Sequence, residues 1–197
     1  PLIGALAAAA ACANLRGLNA AAATSALGLA AAQASGVTAS YGTMAKAMQV
    51  GKAAYTGVMS ARMAAAGMTA APDALDQERG FLQAISPAGR VDLETVPKLG
   101  TRWHSVEHGL SIKRYPMCYC AHRAIDATLS LAARRAVRTE EIEAIEVMLG
   151  EIQATTLKNH RPATGLDAIF SVEFAVAAAL IAGNVGLAQV SDEFVAR

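Results

Sequence analysis

Three long runs of small apolar residues occupy the first third of the chain, separated by short polar breaks. They cover residues 3–15, 20–34 and 51–66. Asn19 precedes the second run as a candidate N-cap, and Gly17, Gly36 and Gly67 follow the runs, where glycine commonly ends a helix. Small side chains recur at helical spacing in the first two runs, so their faces can approach closely. The pattern predicts a helical hairpin and a third helix, with residues 37–49 as a loop.

The pattern changes in the second half of the chain. Residues 110–115 alternate apolar and polar side chains, and residues 142–149 are β-branched and apolar, so each predicts a strand. Residues 121–137 lie between them and place apolar side chains on one helical face. Residues 170–182 return to an Ala-rich helix that Gly183 ends.

This order predicts a mainly α protein with an insertion. An Ala-rich helical domain covers residues 1–88 and resumes at residues 165–197, and a small α+β lid domain (strand–helix–strand) covers residues 89–164. Small ligands often bind where two domains meet. We therefore expect a cleft at this junction.

Composition narrows the class of protein. The chain has 197 residues, of which 54% are hydrophobic and 17% charged, and its net charge is +1. A nucleic-acid or membrane-surface binder needs a basic face, so neither is expected, and no apolar stretch is long enough to span a membrane. The three cysteines lack Cys-x-x-Cys spacing, which predicts reduced thiols and a cytoplasmic protein. The chain lacks an initiating Met, so we expect it to belong to a longer polypeptide.

Charge is distributed unevenly. No carboxylate side chain precedes Asp73, although Arg16, Lys46, Lys52 and Arg62 are cationic. Two interpretations stay open: a segment outside this sequence supplies the counter-charges, or the region attracts an anionic ligand.

Signatures of cofactor and metal chemistry are weak. His104 and His108 are four residues apart, a helical ligand spacing, but Trp103 and Gly109 beside them do not suggest a helix. No Gly-rich phosphate loop and no Gly-x-Ser-x-Gly elbow occurs. The sequence predicts no metal and no cofactor.

Two lysines are the best candidates for chemistry. Lys46 lies in an apolar, Met-lined segment where an ammonium can hold a carboxylate, unless it is simply a solvated charge. Lys113 and Arg114 end the predicted strand just before a helix, an arrangement that suits an anion, although an exposed edge strand would look the same. Cys118 is either a thiolate or a small buried apolar residue, and His122 either titrates or caps and packs.

Five short stretches form a combined pattern: LGLAAAQASG at residues 27–36, Lys46 followed by GKAA at 51–54, KRYP at 113–116, AHRAIDA at 121–127 and FS at 170–171. In this order the set resembles the MmgE/PrpD family, which includes 2-methylcitrate dehydratase, cis-aconitate decarboxylase and iminodisuccinate epimerase. The resemblance implies a homodimer without metal or organic cofactor and a small di- or tricarboxylate substrate between two domains. It implies that Lys46 and Lys113 hold substrate carboxylates. We predict catalytic roles for Lys46, Lys113 and Cys118, and substrate binding by Gln49, Arg114 and Tyr115.

The chain also departs from the family pattern. Gln49 stands where many members carry His, and it can bind but cannot act as a base. Cys118 stands where decarboxylase-like members carry His, and Ala154 falls near the position of their lid Tyr. The family's upstream Asp/His segments would precede Pro1, so we expect this piece alone to be inactive.

The predicted activity is that of a 2-methylcitrate dehydratase-like lyase. The alternatives are an epimerase of the iminodisuccinate type and a non-catalytic carboxylate-binding homologue.

Overall fold

The computed structural model describes residues 1–86, 90–94, 100–101, 103–135 and 137–197, and it divides into two compact units. Unit 1 comprises Pro1–Ser40 and Met44–Gly109, and unit 2 comprises Tyr41–Thr43 and Leu110–Arg197. The α-helices described in unit 1 are α1 Leu2–Leu15, α2 Ala20–Gln33, α3 Met44–Ala65, α4 Phe81–Ile85 and α5 His104–Glu107. Those described in unit 2 are α6 His122–Arg134, α7 Glu151–Thr156, α8 Gly165–Ala168, α9 Val172–Ala182 and α10 Asp192–Val195.

Small side chains allow the helices of unit 1 to pack closely. Helices α1, α2 and α3 contact one another, which confirms the predicted hairpin and third helix. The main apolar cluster among them consists of Ala13, Ala26, Leu29, Ala61 and Ala64. Gly57 of α3 lies so close to α1 that a Cβ there would stand 2.6 Å from the backbone nitrogen of Ala9. The side chain of Asn19 accepts a 2.9 Å hydrogen bond from the amide of Ala22, so the predicted N-cap of α2 is confirmed.

The predicted loop over residues 37–49 is wrong in its second half. Helix α3 already begins at Met44, so Lys46 and Gln49 are helical residues. Met, Ala, Lys and Gln are all good helix formers, which explains the early start even though this end of the helix is largely exposed and has no clean apolar stripe.

Unit 2 has a core of larger side chains. Helix α6 packs on α9, which confirms the two predicted helices of this region. Buried members of the core include Tyr115, Met117, Ile125, Leu157 and Val185. Ser171 caps α9 at its start by accepting a hydrogen bond from Phe174, and Gly183, with φ of +64°, ends it.

The α+β character of the predicted lid is wrong for the described residues. No strand occurs in them: residues 110–113 and 142–150 are irregular, and Leu110 and Ile112 are 85% and 91% exposed. A strand requires a partner for its backbone N–H and C=O groups, and β-propensity reports mostly the fit to such a neighbour. The predicted boundary between residues 88 and 89 falls outside the described residues, and the division into domains stays a prediction. None of the described helices combines the length and apolarity needed to cross a membrane.

Candidate functional site

A group of side chains in unit 2 links the segment before helix α6 to that helix. We call it the α6 cluster, and it consists of Lys113, Arg114, Tyr115, Cys118, Cys120, His122 and Asp126. Its centre is Asp126, on the second turn of the helix. The Tyr115 hydroxyl donates to Asp126 Oδ1 at 2.7 Å, and Arg114 Nη1 donates to the same oxygen at 3.1 Å. The Arg114 guanidinium also lies 5.5 Å from the centre of the Tyr115 ring. The carboxylate therefore fixes both side chains against the helix.

The Tyr115 phenol is held in its protonated form. Burial raises its pKa above the ordinary value of 10.0, and the hydrogen bond to Asp126 and the negative charge of that carboxylate raise it further, against an opposing effect of Arg114. Because its hydroxyl already donates to Asp126, Tyr115 helps to hold the side chains of the cluster in position.

Lys113 turns away from this ion pair. Its ammonium donates to the carbonyl oxygen of Met117 at 2.9 Å, across the turn that follows it. An ammonium carries three N–H donors, so this bond uses one of them. The neighbouring cations thus differ: Arg114 is paired with a carboxylate, whereas Lys113 is exposed and donates to a neutral carbonyl.

Two half-buried cysteines, Cys118 and Cys120, lie between Lys113 and helix α6 in the sequence. The backbone amide of Cys118 donates to the carbonyl of Ile169 at 2.8 Å, which anchors this residue beside the start of α9. Burial raises the pKa of the Cys120 thiol, and the neighbouring Cys118, with which it shares a hydrogen bond, raises it further. The Cys120 thiol is therefore kept protonated at neutral pH.

His122 was not among the predicted site residues, and it is the most unusual member of the cluster. It is the first residue of α6 and only 7% exposed, with its ring 5.2 Å from that of Tyr115 and 5.1 Å from that of Tyr119. Within the described part of the chain its buried Nε2 has no hydrogen-bond partner. His122 is a packed residue, as the second of the two sequence interpretations expects. A buried polar atom such as its Nε2 usually has a hydrogen-bond partner.

The predicted residues of unit 1 have different surroundings. Lys46 is exposed on the first turn of α3, a turn without acidic residues. The Gln49 side chain accepts from the amide of Val37 at 3.2 Å, and its nitrogen donates to Ser40 Oγ at 2.7 Å. Gln49 therefore fastens residues 37–40 to α3, which is a structural task for the amide that was predicted to bind substrate.

The predicted site residues thus fall into two groups. Lys113, Arg114, Tyr115 and Cys118 lie together in unit 2 within one short segment. Lys46 and Gln49 lie in unit 1, on one face of α3. The cleft expected at the domain junction and the roles expected of Lys46 and Lys113 stay predictions.

Family models match both parts of the chain. The N-terminal domain of MmgE/PrpD matches residues 1–94, and the C-terminal domain of MmgE/PrpD matches residues 115–197. The chain belongs to the MmgE/PrpD family. The resemblance of the five sequence motifs is thereby confirmed, and most of the α6 cluster lies within the C-terminal domain of this family.

Two curated relatives of this MmgE/PrpD chain are named cis-aconitate decarboxylase. One, from Aspergillus terreus, is 29% identical over 204 residues, and the other, from Aspergillus terreus strain NIH 2624 / FGSC A1156, is 30% identical over the same length. Both alignments cover 96% of this chain but 41% of the relative. The MmgE/PrpD chain therefore spans about two fifths of the length of these relatives.

One group of side chains outside the α6 cluster has the composition of a metal site. His104, Glu107 and His108 are exposed in unit 1 and bring one ligand atom each within 4.8 Å of one another. The sequence argument against a metal here was that the neighbours did not suggest a helix. This argument is wrong, because residues 104–107 form one helical turn.

Proposed function

We propose that this MmgE/PrpD chain is part of a cofactor-independent lyase that acts on a small di- or tricarboxylate. The reaction would be that of a 2-methylcitrate dehydratase: loss of a proton α to a carboxylate, followed by loss of water. Family membership and the similarity to two enzymes named for cis-aconitate, a tricarboxylate, support a lyase of this substrate class.

The observation that carries the proposal is the charge of the α6 cluster. Lys113 offers an exposed ammonium with spare donors, close in sequence to the start of a 13-residue helix whose first turn has no acidic residue. The start of a helix carries partial positive charge and unpaired N–H groups. Ammonium and helix start together favour a carboxylate, and Arg114 is available as a second cation if its hold on the half-exposed Asp126 is released.

Lys46 supports the same chemistry in unit 1. It is the third residue of the 22-residue helix α3, whose first turn also lacks an acid. A cation at the start of a helix is electrostatically unfavourable until an anion joins it. Each lysine is therefore a candidate partner for a substrate carboxylate within its own unit.

The mechanism requires stabilisation of negative charge. Removing the α-proton leaves an enolate-like charge on the substrate carboxylate, which ammonium groups stabilise more strongly in the transition state than in the ground state. In dehydration the β-hydroxyl then leaves with a proton as water, and a carbon–carbon double bond forms. Cys118 is the candidate for proton transfer in this segment, because its half-buried thiol follows Lys113 in the same short segment.

The test is binding and turnover of citrate-like compounds by the full-length protein. Lys46→Met and Lys113→Met should each weaken tricarboxylate binding by roughly tenfold or more, as expected for loss of a charged hydrogen-bond partner. Lys52→Met is the matched control, since Lys52 lies on the same helix as Lys46 but donates to Thr56 at 2.9 Å. Unchanged affinity in both active-site variants would remove the basis of the proposal.

Proton NMR in D₂O separates the related activities. A new alkene signal from a hydroxy-acid identifies a dehydratase, and deuterium at the α-carbon without loss of water identifies an epimerase. Release of CO₂ identifies a decarboxylase, the second candidate, which the names of the two relatives favour. Saturable binding without exchange identifies a non-catalytic homologue. We further propose a homodimer, as the family resemblance implies, and a cytoplasmic location, as the cysteine spacing predicts. Light scattering of the full-length protein measures the mass of the assembly.

A further inference from the structure

We infer that His104, Glu107 and His108 form a binding site for a divalent transition-metal ion in unit 1. The three residues belong to one turn of helix α5 and its C-cap. They present two imidazoles and one carboxylate whose ligand atoms all lie within 4.8 Å of one another. The imidazole centres are 5.1 Å apart, and His108 Nε2 lies 3.8 Å from Glu107 Oε2.

The backbone holds these side chains on one face. The carbonyl of Trp103 accepts hydrogen bonds from Val106 and Glu107, and the carbonyl of His104 accepts one from His108. Residues three and four apart in a helix are neighbours, so the turn brings the three ligands together. Gly109 follows with φ of +67°, a conformation that ends the helix directly after the last ligand.

The geometry needs only a small adjustment to hold an ion. In a tetrahedral zinc site the ligand atoms are roughly 3.4 Å apart, because each lies about 2.0–2.1 Å from the metal. All three side chains are exposed, so they can rotate into this position without disturbing a core. The fourth position would be open to water.

The donor set selects the class of metal. Imidazole favours Zn²⁺, Ni²⁺ and Cu²⁺, whereas Mg²⁺ and Ca²⁺ prefer sites built from oxygen ligands alone. The ion would also stabilise the turn, because a four-residue helix is too short to be stable by itself and the metal would link its two ends. The site is independent of the carboxylate chemistry proposed for Lys46 and Lys113.

The chain contains a built-in reporter for this site. Trp103 is the only tryptophan in the sequence, it is 67% exposed, and it directly precedes His104. Bound Cu²⁺ quenches tryptophan fluorescence at short range, so titration of the protein reads out this position. Zn²⁺ binding is measured in parallel by calorimetry, after alkylation of the cysteines to remove thiol ligands.

We expect saturable quenching by Cu²⁺ and binding of one Zn²⁺ per chain. His104→Ala and His108→Ala should each weaken both by about tenfold or more, and Glu107→Gln should weaken them less. His160→Ala is the matched control, since His160 is exposed but lies elsewhere, 2.7 Å from Glu173, and it should bind both metals like the unmodified protein. Unchanged melting temperatures would show that the variants are folded.

Four results would overturn the assignment. The first is quenching that does not saturate, which indicates collisions only. The second is equal affinity in His104→Ala and His108→Ala and the unmodified protein. The third is loss of binding in His160→Ala, which would move the site to unit 2. If Glu107→Gln has no effect, the carboxylate is not a ligand and the three-residue site is wrong.

Discussion

The two units reach stability with different side chains. In unit 1, alanines and glycines at the helix contacts let α1, α2 and α3 pack closely. The core of unit 2 combines alanines with larger side chains such as those of Tyr115, Met117, Ile125 and Leu157. The unit also carries the ion pairs Arg114–Asp126, Arg138–Glu141 and His160–Glu173. The difference teaches that unit 1 depends on the absence of side-chain volume, whereas unit 2 depends on particular polar partners.

The largest effect is expected where unit 1 is tightest. Gly57→Ala places a methyl group against the backbone of α1, 2.6 Å from the nitrogen of Ala9, so the helices must move apart. Overpacking of this kind costs about 1–3 kcal/mol of unfolding free energy. Chemical denaturation followed by circular dichroism measures the loss.

Helix α3 offers a matched control for this change. Gly51 has nothing within 4 Å of the position where a Cβ would be placed, so Gly51→Ala should stabilise the protein by about 0.5–1 kcal/mol through helix propensity. Opposite signs at the two glycines would sharpen the comparison. Equal effects would show that close approach of α1 and α3 is not what stabilises unit 1.

In unit 2 the comparable test removes one polar partner. Tyr115→Phe keeps the buried ring but deletes the 2.7 Å hydrogen bond to Asp126, which should cost about 1–2 kcal/mol at pH 7. The same denaturation measurement applies, and Tyr119→Phe is the control, because Tyr119 is 60% exposed. A change no larger than that of the control would mean that this bond contributes nothing to unit 2.

The pH dependence of the Tyr115 effect has a definite sign. The pKa of Tyr115 is raised in the folded protein by burial and by Asp126, so folding favours the neutral phenol. The contribution of the neutral phenol to stability is present below pH 10.0 and is lost as the pH rises through the raised pKa of Tyr115. The difference between the unmodified protein and Tyr115→Phe should therefore shrink in strongly alkaline solution.

Local signals decide which elements the sequence could predict. Helices α1 and α2 follow from local signals, since Asn19 caps one and Gly17 ends the other, and helical spacing needs no distant partner. The two strands were wrong because an apolar run becomes a strand only beside another strand, and that pairing is not local. The sequence pattern predicts a loop around Lys46 because the start of α3 is exposed and has no apolar stripe.

The contacts of the candidate site were not predictable from the sequence. The motif around Lys113 indicates cations shortly before a helix in the sequence, and helix α6 begins at His122. That Tyr115 donates to Asp126, eleven residues later, depends on how the turn folds back onto α6. The burial of His122 against two tyrosine rings depends on the same fold. Its Nε2, which has no partner among the described residues, therefore has no signal in the sequence beyond a histidine at a helix start.

The smallest expected effect concerns the surface of unit 2. Burial alone would raise the pKa of Glu173, but the hydrogen bond from His160, with help from a backbone amide and Ser171, lowers it below the ordinary value of 4.5. Its contribution to stability is therefore present above pH 4.5 and is lost as the pH falls through the lowered value. Because both side chains are largely exposed, Glu173→Gln should cost only a few tenths of a kcal/mol at pH 6, and this cost should vanish in acid. Urea denaturation at several pH values measures it, and repeating Glu173→Gln in a His160→Asn background is the control. If the cost persists in that background, the interaction with His160 is not its cause, and unit 2 depends less on polar partners than its contacts suggest.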